Sequence, residues 1–68
     1  MSLYYVNINP QKNGDHEVHT SECDFLPNFI NRKYLGVFTK CKSAIAEAKK
    51  TYRQSNGCKT CTQECHTS

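Results

Sequence analysis

His16-Glu17-Val18-His19-Thr20-Ser21-Glu22-Cys23 is the stretch on which the fold of this chain turns. Its first half reads as a strand, and the spacing from His19 to Cys23 lets a short turn aim a nitrogen and a sulfur at one point. A counterpart lies far along the chain in Cys58-Lys59-Thr60-Cys61, a turn that brings two sulfurs together while the intervening amides can hydrogen-bond the thiolates. Zinc in a closed structural site takes four N or S ligands, at about 2.3 Å to sulfur and about 2.0–2.1 Å to nitrogen. His19, Cys23, Cys58 and Cys61 are therefore the expected ligands of a structural zinc. Such a metal joins positions roughly forty residues apart and contributes folding free energy directly.

A chain of 68 residues that is 37% hydrophobic and holds no tryptophan needs that help. At this size only about 60% of the unfolded surface is buried on folding, so a core alone is marginal. The length excludes two domains and a deep multi-substrate cavity. No run approaches the ~18 apolar residues of a membrane-spanning helix. The seven aromatics and a net charge of only +3 argue against a disordered chain.

Working outward, Leu3–Ile8 is aromatic and β-branched, with Tyr4, Val6 and Ile8 at period two on one face. Asn13-Gly14 is a tight-turn signal, because both residues tolerate positive φ, and His16–His19 returns as the second strand. Residues 20–33 form an irregular connection in which Phe25, Leu26, Phe29 and Ile30 can anchor to the core. Lys33–Phe38 is the third strand, and Gly36 within it marks a bulge or close backbone approach. Thr39 is the expected N-cap of a helix over 40–53, whose apolar stripe is Cys41, Ala44, Ile45, Ala48 and Tyr52. Asn56-Gly57 is the expected helix stop. The sum is one α+β domain over 1–68, a small three-stranded, mostly antiparallel sheet with one helix packed on it and a metal staple, its 62–68 end frayed.

The five cysteines are an odd set, and no export signal precedes them. The expected compartment is thus the cytoplasm, where clustered cysteines serve more often as metal ligands or redox groups than as bridges. Cys41 falls on the helix stripe and reads as a small core residue. Cys65 and His66 are alternative ligands close to the Cys58 pair. Fitting Cys58, Cys61, Cys65 and His66 around one ion leaves little chain for tetrahedral closure.

Three functional classes follow. The first is a non-catalytic binding module with a nucleic-acid or protein partner. Lys42, Lys49, Lys50, Arg53 and Lys59 are the candidate phosphate contacts, against the plainer reading of a solvated helix face, and Tyr5 or Tyr34 could stack on bases. The second is a thiol redox protein or disulfide-stabilised domain using Cys58 and Cys61. That pair follows a helix stop, the electrostatically wrong end for activating a thiol. The third is an enzyme, for which no phosphate loop, His-Glu-x2-His or serine elbow is present. Asp15, Glu17 and Asp24 are then partners that orient an imidazole.

Val18-His19-x3-Cys23, Tyr34–Phe38, Cys41-x2-Ala44-x3-Ala48 and Cys58-x2-Cys61 together resemble the Ada-type zinc-binding module of bacterial proteins that repair alkylated DNA. The likeness covers about residues 16–61. That module uses four cysteines, the first of which accepts a methyl group as a zinc-activated thiolate. His19 stands at that position here. The resemblance therefore implies a structural site from which the acceptor chemistry has been removed. The chain also resembles short uncharacterised bacterial proteins ending in Cys-His-Thr-Ser, as Cys65-His66-Thr67-Ser68 does, a likeness that implies no activity.

Overall fold

A computed structural model describes residues 1–66. Strands β1 (Ser2–Asn7) and β2 (His16–Thr20) pair antiparallel in the register Tyr4↔Thr20, Tyr5↔His19 and Val6↔Val18. Gly14 at φ +93° makes the turn between them, and Asn13 Oδ1 accepts the Asp15 amide at 2.9 Å. β3 (Arg32–Phe38) pairs antiparallel with the other edge of β1, and one helix, α1 (Cys41–Ala48), follows it. The bulge expected at Gly36 is present: Tyr4 faces Gly36 while Tyr5 faces Tyr34, so Leu35 is the additional residue. Leu35 thereby joins the core that α1 covers.

The sheet has four strands, in the order β3-β1-β2-β4, and not three. β4 (Ser55–Gly57) runs parallel to β2, pairing His16↔Ser55, Glu17↔Asn56 and Val18↔Gly57, so the sheet is mixed. Asn56-Gly57, expected as a helix stop, belongs to this strand, and Gly57 has no positive φ. Ser-Asn-Gly carries no strand propensity; the strand exists because β2 offers a free edge and the His16 amide bonds the Gln54 carbonyl at 2.8 Å.

α1 is also shorter than the expected 40–53. Lys40, not Thr39, occupies the N-cap position, with extended backbone and no side-chain cap bond. Past Ala48 the chain tightens into turns, and the Ser55 hydroxyl takes the Tyr52 carbonyl at 2.6 Å, diverting the chain towards β4. The stripe itself packs as its spacing requires. Cys41, Ala44 and Ala48 are buried against Tyr4, Val6 and Val18, with Ile45 and Tyr52 partly buried beside them. Phe25, Phe29 and Ile30 do not anchor to this core. They are 64%, 80% and 78% exposed, because the small residues of α1 already close the inner face of the sheet. Phe29 stands instead beside the Arg32 guanidinium, 5.9 Å from the ring centre.

Cys41 and Cys65 form a disulfide, so Cys41 is not simply a core thiol and Cys65 is not available as a ligand. Of the 62–68 end, Thr67 and Ser68 lie outside the described residues. Thr62 is buried, and Gln63–Cys65 forms a single 3-10 turn against β4. No helix among the described residues is long and apolar enough to cross a membrane.

Candidate metal centre

The parallel pairing of β2 and β4 builds the site. Val18 lies opposite Gly57, so the next residue on each strand, His19 and Cys58, emerge side by side. The Cys58 amide continues the ladder by donating to the Val18 carbonyl at 3.0 Å. Alternation along β2 sends Val18 to the α1 side and His19 to the opposite face. Cys23 returns to His19 through a turn closed by its own amide on the Thr20 carbonyl at 3.2 Å. Cys61 returns through the turn closed by the Thr62 amide on the Cys58 carbonyl at 3.0 Å.

The donor atoms of His19, Cys23, Cys58 and Cys61 all lie within 4.8 Å of one another, close enough to hold a metal ion. His19 Nδ1 is 3.5 Å from Cys23 Sγ and 3.8 Å from Cys61 Sγ, and the Cys23 and Cys58 sulfurs are 3.9 Å apart. Cys23, Cys58 and Cys61 are all free thiols, so the expected alternative of a bridge using Cys58 and Cys61 is replaced by the Cys41–Cys65 bridge.

Burial acts oppositely on the two kinds of donor. Burial lowers the His19 pKa, keeping the imidazole neutral and its lone pair available. Without a cation, burial pushes the Cys61 thiol up to about 12, helped by hydrogen bonds with the Cys23 and Cys58 sulfurs and opposed by a backbone bond at Thr20. A metal ion supplies the positive charge that reverses this. His19 Nε2 is buried without a hydrogen-bond partner, and the nearest carboxylate oxygen, Glu17 Oε1, is 3.7 Å away. With the imidazole neutral this contact is not an ion pair. It places a carboxylate near the ring nitrogen opposite Nδ1, the side from which a ligating imidazole is ordinarily oriented.

No family model, curated protein or solved structure matches the chain.

The other expected site residues are dispersed. His66 Nδ1 donates to the Gly57 carbonyl at 2.9 Å and is outside the donor cluster. Lys42, Lys49, Lys50, Arg53 and Lys59 are all exposed, but Lys50 pairs with Glu47 at 3.0 Å and Lys59 sits in the Cys58–Cys61 turn, so they form no single stripe. Asp15 orients no imidazole; it accepts from Gln54 Nε2 at 2.8 Å, Asn13 Nδ2 at 3.1 Å and Asn56 Nδ2 at 3.2 Å. Those bonds, Gln54's first, hold its pKa below the usual carboxylate value.

Thr62 is the residue the sequence did not single out. Its side chain is buried, and its hydroxyl reaches the Val18 and Cys58 carbonyls, each at 3.0 Å. It clamps the second ligand turn to β2. A threonine directly after a Cys-x2-Cys pair gives no periodic signal that could have marked it.

Proposed function

We propose that this is a zinc-stapled, non-catalytic binding module, with His19, Cys23, Cys58 and Cys61 as the ligands. One observation carries the reading. For a tetrahedral zinc with ordinary bond lengths, nitrogen-to-sulfur edges are about 3.5 Å and sulfur-to-sulfur edges about 3.8 Å; two nitrogen-to-sulfur contacts here are 3.5 and 3.8 Å and one sulfur-to-sulfur contact is 3.9 Å, within a donor group no wider than 4.8 Å. Three soft sulfurs and one imidazole select zinc over calcium or magnesium, which take oxygen ligands. All four positions come from the chain, so no coordination site is left open for a catalytic water. The resemblance to the Ada-type module supports the same ligand spacing, and His19 in place of a thiolate supports a structural role. Protein purified without added metal should carry about one zinc per chain, and removing it with a chelator should unfold the domain. Metal-free protein that keeps its native circular dichroism overturns the proposal.

A nucleic-acid partner is favoured by the sheet face opposite α1 more than by the helix lysines. There Tyr34, half exposed, stacks at a tilt on Tyr5, and the Arg32 guanidinium lies 4.7 Å from the Tyr5 ring centre. Aromatic rings with an adjacent cation suit unpaired bases. Tyr34→Ala should weaken single-strand binding without changing its salt dependence, whereas salt-independent or absent binding leaves a protein partner.

A further inference from the structure

Two surface clefts of about 360 and 410 Å³ flank the Cys41–Cys65 disulfide on the side of the molecule where α1 begins. Lys42, Glu64 and Cys65 line both; Lys49 adds to one, and Lys40 and Cys41 to the other. The two sulfurs differ in surroundings. Cys65 is partly exposed, while Cys41 is buried and is the first residue of α1. The helix supplies nothing to compensate its own positive end: its N-cap makes no side-chain bond and its first turn holds no acidic residue. Lys40 and Lys42 flank Cys41 in sequence, and Glu64 adjoins Cys65.

We infer that Cys41–Cys65 is a thiol–disulfide exchange centre that accepts electrons from small thiols bearing carboxylates. The thiolate of the substrate attacks the sulfur of Cys65, the partly exposed residue that lines both clefts. The Cys41–Cys65 bond breaks as the new sulfur–sulfur bond forms, and Cys41 leaves as a thiolate. A second substrate thiolate then attacks the substrate sulfur of the mixed disulfide and displaces Cys65. Two substrate thiols are oxidised to one disulfide, the protein disulfide is reduced to two cysteines, and the two protons lost by the substrates end on these cysteines or in solvent.

The asymmetry of charge sets this order. Helix amides and two lysines stabilise negative charge on Cys41, and a better-stabilised leaving group departs faster. Glu64 disfavours a thiolate on Cys65, so in the first step Cys65 is the sulfur attacked and Cys41 the one expelled. Lys40, Lys42 and Lys49 give the clefts an attraction for carboxylates, which an attacking anion needs in order to approach past Glu64. The redox pair is thus not Cys58-x2-Cys61. It lies at the end of α1 that stabilises thiolates, and Cys58 and Cys61 lie in the metal cluster.

The zinc-supplemented full chain is mixed with glutathione, an anionic thiol, or with cysteamine, a cationic one. Each reaction is quenched with acid, and every cysteine is mapped by mass spectrometry. The expected result is a reducible Cys41–Cys65 bond with the mixed disulfide on Cys65. In Lys40→Glu/Lys42→Glu the glutathione rate should fall about tenfold and the cysteamine rate by clearly less, because both thiols lose the stabilisation of the leaving Cys41 but only glutathione loses the attraction for its carboxylates. A bond that resists excess glutathione while the protein is folded overturns the inference, as does a mixed disulfide on Cys41. So does an equal loss of rate with both thiols. Should the double variant not fold, the position of the mixed disulfide in the unaltered protein decides alone.

Discussion

Gly57→Ala tests whether β4 positions the ligands. A methyl group at Gly57 would lie 2.8 Å from both the carbonyl oxygen and the hydroxyl of Thr62, and 3.0 Å from the Cys65 carbonyl carbon. Ordinary contact begins at 3.4 Å, so Thr62 would have to move about 0.6 Å. It has little freedom to do so. Its hydroxyl is held by the Val18 and Cys58 carbonyls and its amide by Cys58, each at 3.0 Å, while Cys65 is tied to Cys41. Overpacking of this kind costs about 1–3 kcal/mol, and loss of one net hydrogen bond about 1 kcal/mol more. The lower chain entropy of unfolded alanine returns about 0.5–1 kcal/mol. The net expectation is a loss of about 2 kcal/mol, or about 10 °C in Tm for a domain of this size. Because Thr62 clamps the Cys58–Cys61 turn, zinc affinity by chelator competition should fall with it. Gly14→Ala is the control: its φ of +93° makes alanine costly there too, yet it lies in the hairpin turn and should leave zinc affinity unchanged. A Gly57→Ala protein as stable as the parent, with equal zinc affinity, would refute the reasoning.

Asp15 gives an acid-side signature. Its folded pKa is depressed by the Gln54, Asn56 and Asn13 bonds, so its stabilisation is present above the unfolded value near 3.9 and is lost as pH falls through the folded one. Asp15→Asn should therefore be less stable than the parent at neutral pH by denaturant melts, with the gap closing below about pH 4. A gap that does not depend on pH would contradict this; acid release of metal is common to both proteins and drops out of the comparison. Replacing the disulfide in Cys41→Ser/Cys65→Ser opens a loop with a sequence separation of 24, for which the chain-entropy relation gives about 3.5 kcal/mol. The zinc-loaded variant should lose less than that, about 2 kcal/mol in urea unfolding, and a loss of the full amount or more would count against an exchangeable bridge.

How far the sequence alone reaches is decided by where its signals are local. Asn13-Gly14, the Gly36 bulge and the Cys41-Ala44-Ile45-Ala48-Tyr52 stripe each express a backbone requirement inside a few residues, and each is legible. β4 is not, because Ser55-Asn56-Gly57 is shaped like a turn and becomes a strand only when β2 presents its edge. The donor cluster could be read without β4, since ligand spacing is itself local. What could not be read is why His19 meets Cys58, which depends on a parallel register that pairs residues 39 apart in sequence, as Val18↔Gly57 does. The disulfide was illegible for the same reason. Cys41 satisfies the helix stripe whether it is bonded or not, and only the folding of the 3-10 turn over Gln63–Cys65 onto α1 brings Cys65 to it.

The two staples share one segment, and that links their energetics. Residues 58–65 carry Cys58 and Cys61 into the donor cluster and Cys65 into the bridge. By thermodynamic cycle, the free energy with which a disulfide stabilises the folded state equals the free energy by which folding makes the disulfide harder to reduce. A bridge whose reduced form is stabilised by the start of α1 and by Lys40 and Lys42 must therefore stabilise the fold by less than loop closure alone provides. Under the proposed zinc site the domain would tolerate that deficit because a second tie would hold the same segment. With zinc on Cys58 and Cys61, reduction of Cys41–Cys65 leaves the segment anchored beside β2, and the freed thiols stay close enough to close again. Without the metal, reduction would release the whole segment, together with the 3-10 turn that packs on β4. On this reasoning the odd number of cysteines is a division of labour: three thiols and an imidazole for the tie that does not change, and two for the tie that can.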